Sequence, residues 1–223
     1  MIPVKPYMAR LLQELQKQFA NRLLYVGLQG SYLRNEATEN SDLDIVIILD
    51  GLSTKDLATY KTIVDTLPNS DKACGFICGK AEMGNWNPLE ICNFLYGTKD
   101  YYGHIADFVP PFTKEDVRNF IKLSVGNLYH EICHRYIHTD KENNKRKLPS
   151  TYKGVFFILQ SLYYLKDGYF YPTKNDLMAH LNPQDRTIME MANQLRDAED
   201  YDFSEALDSL LFWCQKVLTD VTL

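Results

Sequence analysis

The sequence predicts an α+β protein in which an α/β half is followed by an all-helical half. Two observations support this prediction. Up to about residue 110, short apolar runs rich in β-branched residues alternate with segments whose apolar residues recur at helical spacing. Beyond the VPPF stretch at residues 109–112, the apolar residues recur at helical spacing alone. We therefore predict two domains, residues 1–110 and residues 111–223.

The first three elements follow from simple patterns. Apolar residues at helical spacing, with charged residues between them, predict an amphipathic helix over 5–20. The apolar run 23–28, followed by Gly30-Ser31, predicts a buried strand closed by a turn. The β-branched run 42–49 predicts a second strand.

The rest of the first half is marked by capping and turn signals. Ser53 and Asp56 form a capping-box pair, which predicts a helix that ends at Pro68. A third strand is predicted over 73–79, and Pro88 at a first helical position predicts a helix that continues to Tyr96.

The second half is predicted to contain four helical segments and one polar loop. Thr113 and Asp116 form a second capping box ahead of the first of these helices. The polar run 139–147 is interpreted as a loop. The remaining helices are predicted over about 150–166, 184–197 and 203–219.

Composition limits the classes of function. A formal net charge of −5 argues against a dedicated nucleic-acid-binding protein, which usually carries a basic surface. The five cysteines form no CxxC pair, which favours free thiols in a reducing compartment over zinc or disulfides. With neither a signal-peptide pattern nor a long apolar run, we expect a cytoplasmic protein with no membrane partner. The sequence gives no basis for an oligomeric state.

The stretch GLQGSYLRNEATENSDLD, residues 27–44, carries the chemistry. Asp42 and Asp44 alternate with an apolar residue, so in a strand they project from one face. Two carboxylates this close together repel each other, so a nearby positive charge is favoured. Mg²⁺ can supply it, because carboxylate oxygens are ligands for this ion. The Gly30-Ser31 turn offers backbone N–H groups and a hydroxyl to a phosphate. A Gly-Ser pair alone is usually only a turn, and two such aspartates alone are often a solvated strand edge.

Together these residues resemble the signature of the nucleotidyltransferase superfamily with the polymerase-β-like fold. The matching positions are Gly30-Ser31, Arg34, Ser41-Asp42 and Asp44. The longer run is similar to bacterial aminoglycoside nucleotidyltransferases and minimal nucleotidyltransferases. The strong match covers residues 27–50. The resemblance implies a small mixed sheet backed by helices, followed by a helical bundle domain.

The resemblance also implies an activity and a set of roles. Asp42 and Asp44 would bind Mg²⁺, in a two-metal site bridged by the triphosphate of an NTP, with ATP the favoured donor. Ser31 and the Gly30 backbone would hold the β- and γ-phosphates. An acceptor hydroxyl, on a small molecule or a protein, would attack the α-phosphorus and release pyrophosphate.

Members of this family supply a third carboxylate from the next strand. In this sequence that strand reads KACGFICG and contains no acid at mid-strand. Glu82, where the chain leaves the sheet, is the preferred candidate for this catalytic acid. Asp71, ahead of the strand, is the second candidate, and the acid can also be absent.

Two basic residues complete the candidate nucleotide site. Arg34 is expected to contact phosphate or to support the loop. Lys153 is interpreted as lying in the first turn of the helix over 150–166, where its ammonium group would meet a phosphate; a solvated helix lysine is the plain alternative.

Two other functions stay open at this point. One is a nucleotide-binding regulatory module in which catalysis is weakened by the lack of a third acid. The other is a toxin–antitoxin component that nucleotidylates a partner protein.

Overall fold

The computed structural model describes residues 1–221, and these residues form two compact units. The first unit covers Met1–Phe112, and the second begins at Thr113. The first contains a four-stranded sheet with helices, and the described part of the second contains helices and no strand. The prediction of an α+β protein with a small mixed sheet and a helical second half is therefore confirmed.

The sheet has the strand order β3-β2-β1-β4. Strand β1 pairs antiparallel with both β2 and β4, whereas β2 and β3 are parallel, which makes the sheet mixed. The predictions of the first three strands are confirmed, and a fourth was missed. The bounds are β1 Leu23–Leu28, β2 Leu43–Leu49, β3 Ala73–Gly79 and β4 Lys99–Tyr102.

Five helices accompany the sheet in the described part of the first unit. The three predicted ones are present, and α3 carries the expected capping box between Ser53 and Asp56. Helices α2 and α4 were not predicted, because segments of four and five residues are too short to show a period. The bounds are α1 Val4–Phe19, α2 Gly30–Leu33, α3 Thr54–Asp65, α4 Lys80–Gly84 and α5 Pro88–Tyr96.

Strand β2 is buried on both faces, and the alternation of its side chains fixes which face carries Asp44. Ile45 and Ile47 belong to one core cluster together with α1. Val46 and Ile48 belong to the opposite cluster. Because successive side chains of a strand point to opposite faces, Asp44 projects on the side of Val46 and Ile48.

The second unit is built from five helices among its described residues. The bounds are α6 Lys114–His138, α7 Lys141–Asp167, α8 Lys174–Met178, α9 Pro183–Asp197 and α10 Phe203–Asp220. The predicted helices at 184–197 and 203–219 are confirmed. No helix within residues 1–221 combines the length and apolar character that a bilayer crossing needs.

The prediction of a loop over 139–147 is wrong, because α7 begins at Lys141 and contains Pro149. Asp140 caps the helix by accepting from the backbone N–H of Asn143. Proline lacks the N–H that would bond to the carbonyl four residues earlier, at Lys145. The hydroxyl of Tyr201 donates to that carbonyl. This replacement donor, which lies 56 residues away in sequence, lets the helix continue through the proline.

Replacing Asp185 with Ala is predicted to destabilise the helical unit. The Asp185 carboxylate accepts hydrogen bonds from Tyr163 Oη at 3.0 Å and Trp213 Nε1 at 3.0 Å. Both donors belong to buried residues, so their loss costs about 2 to 5 kcal/mol of unfolding free energy. Urea unfolding followed by fluorescence measures this. Asp208→Ala, an exposed acid on α10, is the control and should change stability by less than about 0.5 kcal/mol. Equal midpoints for the two variants would contradict the prediction.

Candidate active site

The turn after β1 lies directly against the Asp44 carboxylate. The backbone N–H of Gln29 donates to the Asp44 carbonyl at 2.8 Å. Gly30 has a φ of +72°, in the left-handed region that favours glycine. A Cβ atom at Gly30 would lie 1.8 Å from Asp44 Oδ2. Only glycine therefore allows the Gly30-Ser31 turn and the Asp44 carboxylate to be in contact.

The electrostatic environment of the Asp44 carboxylate favours a bound cation beside it. Burial raises the pKa of the Asp44 carboxyl group, and the negative charge of Asp42 raises this pKa further. The positive charge of Arg34 acts in the opposite direction and lowers the same pKa. A bound cation would relieve the repulsion between the two carboxylates. The donor set of Asp42 and Asp44, both oxygen ligands, fits Mg²⁺.

Arg34 lies close enough to Asp44 to lower the pKa of its carboxyl group, and it is held by its own loop. Its Nε donates to Glu36 Oε2 at 2.9 Å, and each of these side chains is 16% exposed. The loop is closed by the backbone N–H of Glu36, which donates to the Ser31 carbonyl at 2.9 Å. Arg34 is thus positioned near Asp44, and its contact with a phosphate stays a prediction.

The position beside Asp44 on β3 is occupied by a thiol. In the parallel pairing of β2 and β3, Asp44 is opposite Cys74, so the two side chains share a face. Cys74 is exposed, unlike Cys78, Cys92 and Cys214, which are buried. Strand β3 therefore supplies no carboxylate next to Asp44.

The structure does not bring Glu82 to the aspartates. Glu82 is exposed in α4, just after Gly79, which pairs with Leu49 at the other end of β2. The five residue-to-residue steps from Cys74 to Gly79 span about 16 Å of strand. The preference for Glu82 as third acid thus conflicts with the geometry, because β3 carries the chain away from Asp44 before Glu82 is reached. Asp71 is exposed in the short turn that precedes β3.

Replacing Glu82 with Gln is predicted to leave nucleotidyl transfer within about twofold of the parent, because the side chain lies at the far end of the sheet. Steady-state kinetics with saturating nucleotide measures this. A fall in turnover of about tenfold or more would return Glu82 to the site.

Lys153 belongs to the second unit and lies in the middle of α7, exposed, rather than in a first helical turn. The prediction that a helix starts near residue 150 is wrong, because α7 begins at Lys141 and continues through Pro149. Lys153 is therefore not at a helix N-terminus, and this removes the reason for expecting it to contact a phosphate.

Gln29, beside Asp44, and Thr98, beside Gln29, were not predicted as site residues. Continuing the strand pairings by one residue places Gln29 opposite Asp44 and Thr98 opposite Gln29. The Gln29 Nε2 donates to Thr98 Oγ1 at 2.6 Å. Gln29 adjoins the signature and could have been considered. Thr98 could not, because it immediately precedes the unpredicted strand β4.

Among the described side chains, those of residues 1–196 and 198–221, no group of three or more His, Cys, Asp and Glu is arranged to hold a metal ion. A cation at this site would be held by the two aspartates, with its other ligands supplied by other oxygen atoms.

Comparison with known proteins decides the family. Residues 8–123, more than half of the chain, match the nucleotidyltransferase domain family. The chain belongs to this family. The match contains every residue of the turn, the loop and β2 described above, so this nucleotidyltransferase carries its signature within the matched region. No curated protein sequence matches it significantly.

One solved structure agrees on the fold. The spectinomycin adenyltransferase AAD(9) from Enterococcus faecialis, solved with ATP and spectinomycin, has a TM-score of 0.61 and 16% identity to this nucleotidyltransferase. The alignment covers 96% of this chain and 99% of that one. A nucleotidyltransferase-like protein from Exiguobacterium sibiricum 255-15 has a TM-score of 0.39 and 8% identity, and the alignment covers 95% of this chain and 74% of that one.

Proposed function

We propose that this protein is a Mg²⁺-dependent nucleotidyltransferase that moves AMP from ATP to a hydroxyl group of a small molecule and releases pyrophosphate. The observation that carries the proposal is the contact between the Gly30 turn and Asp44, with Asp42 and Arg34 acting on the same carboxylate. A phosphate-binding turn and a metal-binding pair of carboxylates thereby form one site.

Each residue has a proposed task at this site. Ser31 and the backbone of Gly30 hold the terminal phosphates, and Arg34 adds positive charge beside them. Asp42 and Asp44 hold Mg²⁺, which supplies positive charge to the triphosphate and to the departing pyrophosphate. The acceptor hydroxyl attacks the α-phosphorus in line with the leaving oxygen.

The choice of ATP and of a small acceptor is supported by the structural likeness to an adenyltransferase that was solved with ATP and spectinomycin. The formal net charge of −5 also disfavours a polynucleotide acceptor.

The proposal is tested with the four α-labelled NTPs, Mg²⁺ and a panel of hydroxyl acceptors that includes spectinomycin. We expect label to appear on an acceptor, with pyrophosphate release, and both to disappear in Asp42→Ala and Asp44→Ala. The same release from both variants as from the parent would contradict the proposal.

A second candidate is a nucleotide-binding module without turnover. It is favoured by the thiol of Cys74, which lies beside Asp44 on the strand from which the family supplies an acid. Metal-dependent ATP binding with no transfer to any acceptor would establish this candidate instead.

A further inference from the structure

We propose that the side-chain oxygen of Gln29 completes the metal site on the side of the sheet away from β3. This inference rests on the proposed function and adds a ligand to the same site. Gln29 would be a direct ligand of Mg²⁺, in place of the carboxylate that β3 does not provide.

The Asp44 carboxylate leans towards the turn that follows β1. Its Oδ2 occupies the space where a Gly30 Cβ would be, at 1.8 Å from that point. The carboxylate thus lies over the turn that follows β1 rather than over β3. A third oxygen that shares a cation with Asp44 is best supplied from the β1 side.

Gln29 lies directly after β1 and beside Asp44. Its backbone N–H bonds to the Asp44 carbonyl at 2.8 Å, which fixes Gln29 as the residue laterally opposite Asp44. Side chains of opposed residues share a face and lie about 5 Å apart at their Cβ atoms. Gln29 therefore projects beside Asp44 on the face opposite the α1 cluster.

The side-chain amide of Gln29 is oriented with its nitrogen towards Thr98. Gln29 Nε2 donates to Thr98 Oγ1 at 2.6 Å, and Thr98 Oγ1 donates in turn to the Phe94 carbonyl at 2.5 Å. This chain commits the nitrogen of the amide to β4. It leaves Oε1 as the atom with lone pairs to offer, and an amide carbonyl oxygen is a ligand for hard cations.

The measurement is the affinity for Mn²⁺, by electron paramagnetic resonance, of the full chain with α,β-methylene-ATP. Gln29→Met keeps the length of the side chain and removes its oxygen. We expect it to weaken Mn²⁺ binding by about tenfold. Gln29→Glu restores an oxygen ligand and should bind Mn²⁺ at least as tightly as the parent. Thr98→Val, which releases the amide, should weaken binding by a smaller factor. Gln13→Met, an exposed glutamine of α1, is the control and should have no effect.

The outcomes separate this inference from the proposed function. Unchanged Mn²⁺ affinity in Gln29→Met, alongside loss of affinity in Asp42→Ala and Asp44→Ala, would overturn the role of Gln29 alone. No Mn²⁺ binding by the parent would overturn both. Circular dichroism of each variant shows whether it is folded, and a misfolded Gln29→Met is replaced by Gln29→Leu for the same comparison.

Discussion

Asp44→Asn is expected to lower nucleotidyl transfer by about 1,000-fold, equivalent to about 4 kcal/mol of lost transition-state stabilisation. The asparagine fills the same space over Gly30 but offers no negative charge to the metal. Turnover at saturating ATP and Mg²⁺ measures the effect. Asp107→Asn, an exposed acid elsewhere in the first unit, is the matched control and should retain the activity of the parent.

The same substitution is expected to stabilise the protein when no metal is bound. The pKa of Asp44 is raised in the folded protein, so its charged form is less favourable there than in the unfolded chain. The stability that Asp44 contributes is fully present below its unfolded-state pKa and is lost as pH rises through the raised folded-state pKa. Asp44→Asn should therefore be more stable than the parent at neutral pH, and this advantage should vanish in acid. Urea unfolding across that pH range, in EDTA, checks the sign; a less stable variant at neutral pH would contradict it.

Gly30→Ala is expected to be the most damaging change outside the aspartates. The left-handed backbone costs an alanine about 1 to 2 kcal/mol. Its Cβ must also displace Asp44 Oδ2, which lies 1.8 Å from the position of that atom. Because the carboxylate moves, we expect turnover to fall by about 100-fold and ATP affinity to fall with it.

Gly154→Ala is the matched control for Gly30→Ala. Gly154 lies within α7, and an added Cβ would have no neighbour within 4 Å. Alanine is the better helix former, so this change should stabilise the chain by about 0.5 to 1 kcal/mol and leave transfer unchanged. Equal activity of Gly30→Ala and Gly154→Ala would show that the turn and the carboxylate do not work as one site.

The long elements were predictable from the sequence because their signals are local. The β-branched run of β2, the capping box at Ser53 and the helical spacing of α10 each fix an element without reference to the rest of the chain. The turn at Gly30 and the pair Asp42 and Asp44 were identified on the same basis, since their spacing is set within one loop and one strand.

The errors arise where distant residues decide the outcome. A proline at 149 is typical of a helix start, whereas α7 begins earlier because Asp140 caps it and the distant Tyr201 hydroxyl donates to the carbonyl that Pro149 cannot pair with. Cys74 is beside Asp44 because β3 is parallel to β2 in one particular register. Glu82 was preferred because the chain leaves the sheet there, and the parallel register puts that point beside Leu49 rather than beside Asp44.

The most direct test of the account is a calorimetric titration of the full chain with α,β-methylene-ATP. The central claim is that the Gly30-Ser31 turn and the two aspartates form one metal–triphosphate site. It predicts binding in Mg²⁺ that is lost in EDTA and is lost, with Mg²⁺ present, in Asp42→Asn and Asp44→Asn. Nucleotide binding of equal strength in EDTA, or in either variant, would contradict it.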